Sequence, residues 1–219
     1  MTRRISRRSV IGVGAAVMAA GLGGAARAEA KPLRLVAFGD SLTAGYGLPR
    51  EQGFAARLEA ALRAEGIAVT VTDAGVSGDT TEMGLARLDW SVPAEAEAVI
   101  VELGANDCLR GLPPAEARRN LEEIVARLTA RGQKVLVAGM YAPRNLGAAY
   151  TAAFDPIFAD VAKAHGALLY PFFLEGVAMR ADRTLPDGLH PNAAGVDAIV
   201  AGILPSVRAL IERARAARP

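Results

Sequence analysis

The sequence predicts an α/β fold in which a five-stranded parallel sheet is covered by helices on both faces. Two observations indicate this fold class. Five apolar segments have the length of a strand and contain few polar residues, which is typical of strands buried on both faces of a sheet. Longer segments with apolar residues at helical spacing separate them, and this alternation favours a parallel sheet.

The predicted elements follow one another along the chain. Strands are expected at residues 33–38, 69–73, 98–103, 134–139 and 167–170. Between them, apolar residues recur at helical spacing, most clearly at residues 54–62 and 121–128. Residues 193–215 are expected to form a closing helix. A sheet built in this way binds ligands at the carboxyl ends of its strands.

The first 28 residues are typical of a cleavable export signal. The paired arginines Arg7 and Arg8 precede a weakly apolar run over residues 10–26, and Ala26-Arg27-Ala28 fits a small-x-small cleavage site. The run has 17 residues, fewer than the roughly 20 strongly apolar residues of a membrane-spanning helix. We therefore expect a twin-arginine signal over residues 1–28, with an uncleaved membrane anchor as the alternative.

The remaining residues, 29–219, have the size of one domain that buries its own core. Cleavage after Ala28 removes five arginines and no acidic residue, so the net charge changes from +2 to −3. This balance indicates neither a nucleic-acid-binding protein nor one that binds acidic lipid through a basic patch. Cys108 is the only cysteine, so an intramolecular disulfide is excluded and packing must stabilise the fold.

Polar clusters follow the predicted strands. Ser41 comes after the first strand, residues 75–80 after the second, and residues 104–107 after the third. Asp187 and His190 lie between the last strand and the closing helix. Because the carboxyl ends of parallel strands meet at one edge of the sheet, we expect these clusters to lie together.

The clustered residues match the needs of nucleophilic catalysis. A serine hydroxyl is a weak nucleophile until a base accepts its proton, and histidine, with an unperturbed pKa of about 6.5, suits that role. His190 is the candidate base for Ser41, and Asp187 would bind the other ring nitrogen. The candidate oxyanion donors are the backbone N–H groups of Ser41 and Gly78 and the side-chain amide of Asn106.

Taken together, these clusters resemble the SGNH, or GDSL, hydrolase family. Gly39-Asp40-Ser41-Leu42 resembles its nucleophile motif, and Gly78 its oxyanion glycine. Gly104-Ala105-Asn106-Asp107 resembles its Gly-x-Asn-Asp motif, and Asp187 with His190 its Asp-x-x-His pair. Within that family the chain is most similar to the thioesterase I / lysophospholipase L1 / arylesterase group. The resemblance implies a flavodoxin-like three-layer α/β/α fold, an acyl-serine mechanism, a monomer, and no metal or cofactor.

Together with the export signal, the resemblance predicts an exported serine esterase, periplasmic or secreted. Its candidate substrates are acyl esters and thioesters, including aryl esters and lysophospholipids. The resemblance also implies that the loops after the third and fourth strands contact the acyl group. The apolar residues there are Leu109, Leu112, Met140, Tyr141 and Pro143.

Two other functions remain open at the level of the sequence. One is a carbohydrate or cell-wall acetyl esterase of the same superfamily. The other is a flavodoxin-like binding module without catalysis, in which residues 39–41 form a phosphate-holding turn. Only the catalytic interpretation needs His190, because a phosphate-binding turn requires no base.

Three residues beside the motifs have alternative interpretations. Cys108 stands where the family motif would have a small residue such as glycine, so its thiol either lines the site or packs below the loop. Asp40 and Asp107 adjoin motif residues and are expected to cap helices and hold the loops rather than act as catalytic acids. Two histidines and one cysteine, scattered as they are, give little support for a zinc site.

Overall fold

The computed structural model describes residues 31–218, so the predicted export signal lies outside the described residues. Within these residues lies a five-stranded sheet, ordered β2-β1-β3-β4-β5, in which every neighbouring pair is parallel. Its strands are β1 (Leu33–Gly39), β2 (Val69–Gly75), β3 (Ala98–Glu102), β4 (Lys134–Ala138) and β5 (Leu168–Tyr170). The predicted strands are confirmed, with ends that differ by at most two residues.

Helices cover both faces of the sheet. They are α1 (Ser41–Ala44), α2 (Phe54–Ala64), α3 (Thr81–Ser91), α4 (Ala105–Leu109), α5 (Pro114–Ala130), α6 (Ala148–Phe154), α7 (Ile157–Ala164) and α8 (Ala193–Ala216). Helices α2 and α8 pack against each other on one face, whereas α3, α5 and α7 pack in series on the other. The molecule is therefore a three-layer α/β/α sandwich, as predicted.

The apolar character of the strands follows their place in the sheet. Strands β1 and β3 are central, and their residues Leu35, Ala37 and Ile100 have no solvent exposure. Strand β2 lies at an edge of the sheet, and there Val69 is buried whereas Thr70, Thr72 and Asp73 are exposed. Burial of the central strands from both sides explains why their sequence is continuously apolar.

The closing helix α8 is apolar because it belongs to the core. Among the described residues it is the one helix long and apolar enough to span a membrane by length and composition alone, with a mean hydropathy of 1.6. Its residues Ile199, Ile203 and Val207 are buried, and the helix contacts β3, β4 and β5. Packing against the sheet accounts for the hydropathy.

The topology provides one place where two strand ends face a common crevice. The chain crosses from β1 to β2 in one direction and continues from β3 to β4 and β5 in the other, so the strand order switches between β1 and β3. Doubly wound sheets bind ligands at such a switch point. Ser41 follows β1 and Asn106 follows β3. The structure thus brings the first and third predicted clusters to this crevice.

Candidate active site

Ser41 is the first residue of α1 and directly follows the turn after β1. The turn is fixed by Asp40, whose Oδ1 accepts the Leu42 N–H at 3.0 Å and so caps the helix. Gly39 has no room for a side chain, because a Cβ there would overlap Thr43 Oγ1. These constraints hold Ser41 at the carboxyl end of the sheet with 8% of its surface exposed.

Ser41, His190 and Asp187 form a hydrogen-bonded chain. His190 Nε2 lies 2.9 Å from Ser41 Oγ, and His190 Nδ1 lies 2.7 Å from Asp187 Oδ2. The other Asp187 oxygen accepts the backbone N–H groups of Leu189 at 2.9 Å and His190 at 3.0 Å. Three hydrogen bonds lower the pKa of Asp187 to about 2. In order of decreasing effect, they come from the backbone N–H of His190, the backbone N–H of Leu189 and the His190 imidazole. Asp187 is therefore an anion at neutral pH and keeps Nδ1 protonated.

Hydrogen bonds fix the loop that carries His190 next to the start of α8. Leu185 donates its N–H to the His190 carbonyl at 2.7 Å, and an antiparallel bridge joins Thr184 to Pro191. Asn192 then caps α8 by accepting the Gly195 N–H at 3.0 Å. The position of the imidazole is thus set by backbone bonds on both sides of it.

Tyr46 is a site residue that the sequence reasoning missed. Its ring centroid lies 4.4 Å from that of His190, with the planes inclined by 35°. Tyr46 is half-exposed, so one face of it contacts the imidazole and the rest faces solvent. The only signal in the sequence was its closeness to Ser41 along the chain, which does not indicate a contact with a residue 144 positions away.

The three predicted oxyanion donors come from neighbouring turns. Asn106 Nδ2 donates to Asp40 Oδ2 at 3.0 Å and to the Asp79 carbonyl at 2.9 Å. Asn106 therefore links the residue before Ser41 to the residue after Gly78. Gly78 has a φ of +89°, a conformation that strongly favours glycine. The backbone N–H groups of Ser41 and Gly78 donate no hydrogen bond to any of residues 31–218.

Asp40 is completely buried beside this donor cluster. Burial raises the pKa of Asp40 to about 6, although the hydrogen bonds from Leu42 and Asn106 and the proximity of His190 oppose the shift. Near neutral pH the carboxylate is mostly ionised and fixes the orientation of the Asn106 amide. The predicted role of Asp40 as a capping and loop-holding residue is confirmed.

Asp79 and Arg87 tie the turn after β2 to the sheet. Arg87 Nε lies 2.5 Å from Asp79 Oδ2 in a largely buried ion pair. Other guanidinium nitrogens donate to the carbonyls of Ala74 at 2.9 Å and Gly39 at 2.8 Å. The guanidinium also stacks over the Phe38 ring, 4.4 Å from its centroid. One side chain therefore aligns the ends of β1 and β2.

Asp107 connects the motif after β3 to α3. Its Oδ2 accepts the Thr81 N–H at 2.9 Å, and its Oδ1 accepts the Thr81 hydroxyl at 2.6 Å. Both oxygens are thus used in holding the loop, as predicted, and none of these contacts involves Ser41 or His190.

Cys108 packs below the loop. It is 2% exposed, and its Sγ donates to the Ala105 carbonyl at 3.1 Å. Burial, together with the neighbouring Asp107 charge, raises the pKa of the thiol to about 12. A thiol in this state is not nucleophilic at neutral pH. The structure favours the packing role over the site-lining role for Cys108.

The predicted acyl-contacting residues differ in exposure. Leu109 is 50% exposed and Tyr141 is 43% exposed, with the Tyr141 ring packed 4.9 Å from that of Phe172. Leu112 and Pro143 are partly exposed. Met140 needs correction, because it is 2% exposed and packs in the core instead of offering apolar surface to a substrate. A role for Leu109, Leu112, Tyr141 and Pro143 in acyl binding stays a prediction.

Comparison with known proteins identifies the family. Residues 37–198 match the GDSL-like lipase/acylhydrolase family, a span that includes Ser41, Gly78, Asn106, Asp187 and His190. The chain belongs to this family. The resemblance predicted from the motifs is thereby confirmed.

The similarity to known proteins extends over most of the chain. Esterase TesA of Pseudomonas aeruginosa is 38% identical over 184 residues, which cover 84% of this chain and 92% of TesA. The Escherichia coli K12 protein thioesterase 1/protease 1/lysophospholipase L1 is 35% identical over 159 residues, covering 72% of this chain and 75% of that protein. The crystal structure of AlinE4, an SGNH-hydrolase family esterase, is 48% identical, with a TM-score of 0.69 over 82% of this chain and 96% of AlinE4.

Family, fold and relatives agree on the class of reaction. This protein is a carboxylic ester hydrolase of the serine esterase type. The alternative of a binding module without catalysis is therefore wrong.

Proposed function

We propose that Ser41 is the nucleophile, His190 the general base and Asp187 the acid that orients it. The observation that carries this assignment is the unbroken chain from Ser41 Oγ through His190 to Asp187, with separations of 2.9 and 2.7 Å. Such an arrangement lets the imidazole accept the serine proton as the hydroxyl attacks an acyl carbon.

The reaction proceeds in two halves. Ser41 Oγ forms a bond to the acyl carbon while His190 Nε2 takes its proton, and the carbonyl oxygen becomes an oxyanion. The tetrahedral intermediate collapses as His190 returns the proton to the leaving alcohol or thiol, which leaves an acyl-serine. Water then attacks the acyl carbon while His190 Nε2 takes its proton. The second tetrahedral intermediate collapses as the bond to Ser41 Oγ breaks and His190 returns the proton to that oxygen, which releases the carboxylic acid.

We propose that the backbone N–H groups of Ser41 and Gly78 and the amide of Asn106 stabilise the oxyanion. Both hydrogens of the Asn106 amide already have acceptors, Asp40 Oδ2 and the Asp79 carbonyl. An oxyanion would displace the neutral carbonyl, whereas the bond to the Asp40 carboxylate would remain and aim the amide. A hydrogen bond to a charged carboxylate is stronger than one to a neutral carbonyl, so the bond to Asp79 should be the one that the oxyanion replaces.

The proposed substrates are small acyl esters and acyl thioesters, with lysophospholipids and aryl esters as candidates. The names of the TesA and Escherichia coli relatives support this range. Leu109 and Tyr141 are proposed to contact the acyl chain, because they combine apolar surface with exposure on the loops after β3 and β4. The acetyl esterase alternative predicts a preference for the shortest acyl group.

We propose in addition that the enzyme is exported through the twin-arginine route and acts as a monomer outside the cytoplasm. Export is supported by the arginine pair followed by an apolar run and a small-x-small site within residues 1–28. Cell fractionation of the native chain beside Arg7→Lys/Arg8→Lys tests it. Accumulation of the variant precursor in the cytoplasm is expected, and equal export of both chains would contradict the proposal.

The decisive assay uses p-nitrophenyl esters of increasing acyl length with wild type, Ser41→Ala and His190→Ala. Both variants are expected to lose on the order of 10³-fold or more in kcat while remaining folded. A fluorophosphonate should label wild type at Ser41 and leave Ser41→Ala unlabelled. Full turnover by folded Ser41→Ala would overturn the assignment of the nucleophile.

A further inference from the structure

Glu102 is a buried carboxyl that the proposed reaction does not use. It is the last residue of β3 and has no solvent exposure. Its Oε2 accepts the Thr43 hydroxyl at 2.8 Å and lies 3.4 Å from the backbone N–H of Asp40. Its Oε1 is also buried and has no hydrogen-bond partner among residues 31–218.

Glu102 Oε2 contacts the turn that carries Ser41 on both sides of the serine. Asp40 directly precedes Ser41, and Thr43 follows it by two residues in the first turn of α1. One carboxyl oxygen therefore spans the backbone that carries the serine. The first motif glycine is part of the same packing, because a Cβ on Gly39 would lie 2.6 Å from Glu102 Oε2.

The surroundings of Glu102 favour the neutral acid. Burial raises the pKa of Glu102 well above its usual value, and the nearby Asp40 carboxylate raises it further. The hydrogen bonds from Thr43 and the Asp40 backbone act in the opposite direction. No ion pair within residues 31–218 includes Glu102, so nothing there compensates a charge on the unpartnered oxygen.

We propose that Glu102 is a positioning residue that holds the Asp40–Thr43 turn so that the Ser41 hydroxyl meets His190 and the Ser41 N–H faces the oxyanion. The proposal rests on the proposed role of Ser41. Glu102 itself touches no reacting atom and acts through the turn. Small displacements of a reacting group are costly, since a shift of about 1 Å can lower a rate on the order of 10²-fold.

The test compares Glu102→Gln with Glu102→Leu in the purified enzyme. Glutamine keeps an acceptor oxygen without a charge, so kcat should stay within about threefold of wild type. Leucine has similar bulk but no acceptor, and kcat should fall on the order of 10- to 10²-fold, with KM within about twofold. The rate at which a fluorophosphonate labels Ser41 should fall in parallel, because it depends on the same hydroxyl.

Gln133 provides a matched control at the other end of the sheet. It is 3% exposed, donates to the Pro93 carbonyl at 2.9 Å and has a buried Oε1 without a partner among residues 31–218. Gln133→Leu should lower the unfolding midpoint and leave kcat unchanged. A loss of kcat confined to Glu102→Leu would separate positioning of Ser41 from general stability.

Each other outcome bears on the proposal. Wild-type kcat in folded Glu102→Leu, or an equal loss in Glu102→Gln, would overturn it. If Glu102→Leu fails to fold, Thr43→Val decides, since it removes only the hydroxyl donor: a threefold or greater fall in kcat supports the proposal and an unchanged kcat refutes it. Retained activity in Ser41→Ala would instead mean that the proposed nucleophile is wrong.

Discussion

The Tyr46 ring lies against the His190 imidazole, with the two centroids 4.4 Å apart. Tyr46 follows α1, the helix that Ser41 begins, whereas His190 comes from the loop before α8. The contact therefore couples the segment of the proposed nucleophile to the segment of the proposed base. Because Tyr46 lies against one face of the imidazole, we expect it to limit rotation of the imidazole away from Ser41.

Tyr46→Ala should lower kcat without preventing folding. Contacts between aromatic rings are worth about 0.5–1.5 kcal/mol, which corresponds to a decrease of about 2- to 12-fold if the whole contact serves to orient the imidazole. Tyr46→Phe keeps the ring and should retain the wild-type kcat. Equal kcat values for the alanine variant and wild type on p-nitrophenyl esters would exclude this role.

Asn106→Ala should lower kcat on the order of 10²–10³-fold, the usual cost of removing one oxyanion donor. KM should change little, because the interaction is proposed to form in the transition state. Asn120→Ala is the matched control, since Asn120 donates to Thr81 Oγ1 at 3.1 Å and no hydrogen bond joins it to a proposed catalytic residue. A comparable loss in both variants would point to a structural effect.

The stability of the folded chain should depend on Asp40 between pH 4 and pH 6. Its folded pKa is raised to about 6, whereas an aspartate in the unfolded chain titrates near about 3.9. In this window the folded state binds a proton that the unfolded state has released, so stability falls as the pH rises.

Asp40→Asn removes that titration. The free energy of unfolding of the variant relative to wild type should therefore rise by up to about 3 kcal/mol between pH 4 and pH 6.5. Urea unfolding of both proteins across this range measures the difference, and the titrations of groups that do not interact with Asp40 cancel. A difference that does not vary with pH would show that Asp40 titrates as in the unfolded chain.

Cys108 should be unreactive in the folded enzyme. With its pKa raised to about 12 and its side chain buried, alkylation by iodoacetamide at pH 8 should be about 10³-fold slower than in the unfolded chain. Cys108→Ala should keep kcat/KM within about twofold. Rapid alkylation of folded protein accompanied by loss of ester turnover would favour a thiol that lines the site.

Acyl-chain preference should depend on Leu109 and Tyr141. Burial of one methylene is worth about 0.8 kcal/mol, so each added carbon that enters an apolar groove raises kcat/KM by up to about fourfold. Leu109→Ala and Tyr141→Ala should flatten this dependence across p-nitrophenyl esters. Trp90→Ala, at an 86% exposed residue of α3, is the control and should leave the profile unchanged. Parent-like profiles for both loop variants would remove these residues from the acyl site.

Some features of this protein follow from the sequence alone because their causes are local or general. Continuous apolar runs indicate strands buried on both faces, and all five predicted strands are present. The meeting of strand ends at one sheet edge is a property of parallel sheets. It therefore brought Ser41, Asn106 and His190 into one predicted cluster before any distance was known.

Other features depended on tertiary structure because their partners are distant in the chain. Glu102 lies within a predicted strand, and its sequence context indicates no role; only the fold brings Thr43, 59 positions earlier, against it. Tyr46 meets His190 in the same way. Met140 reads as an exposed loop residue in the sequence, yet packing of the surrounding elements buries it. Residue type and spacing thus predicted the fold and the groups proposed to react, whereas only long-range packing decided which side chains hold those groups in place.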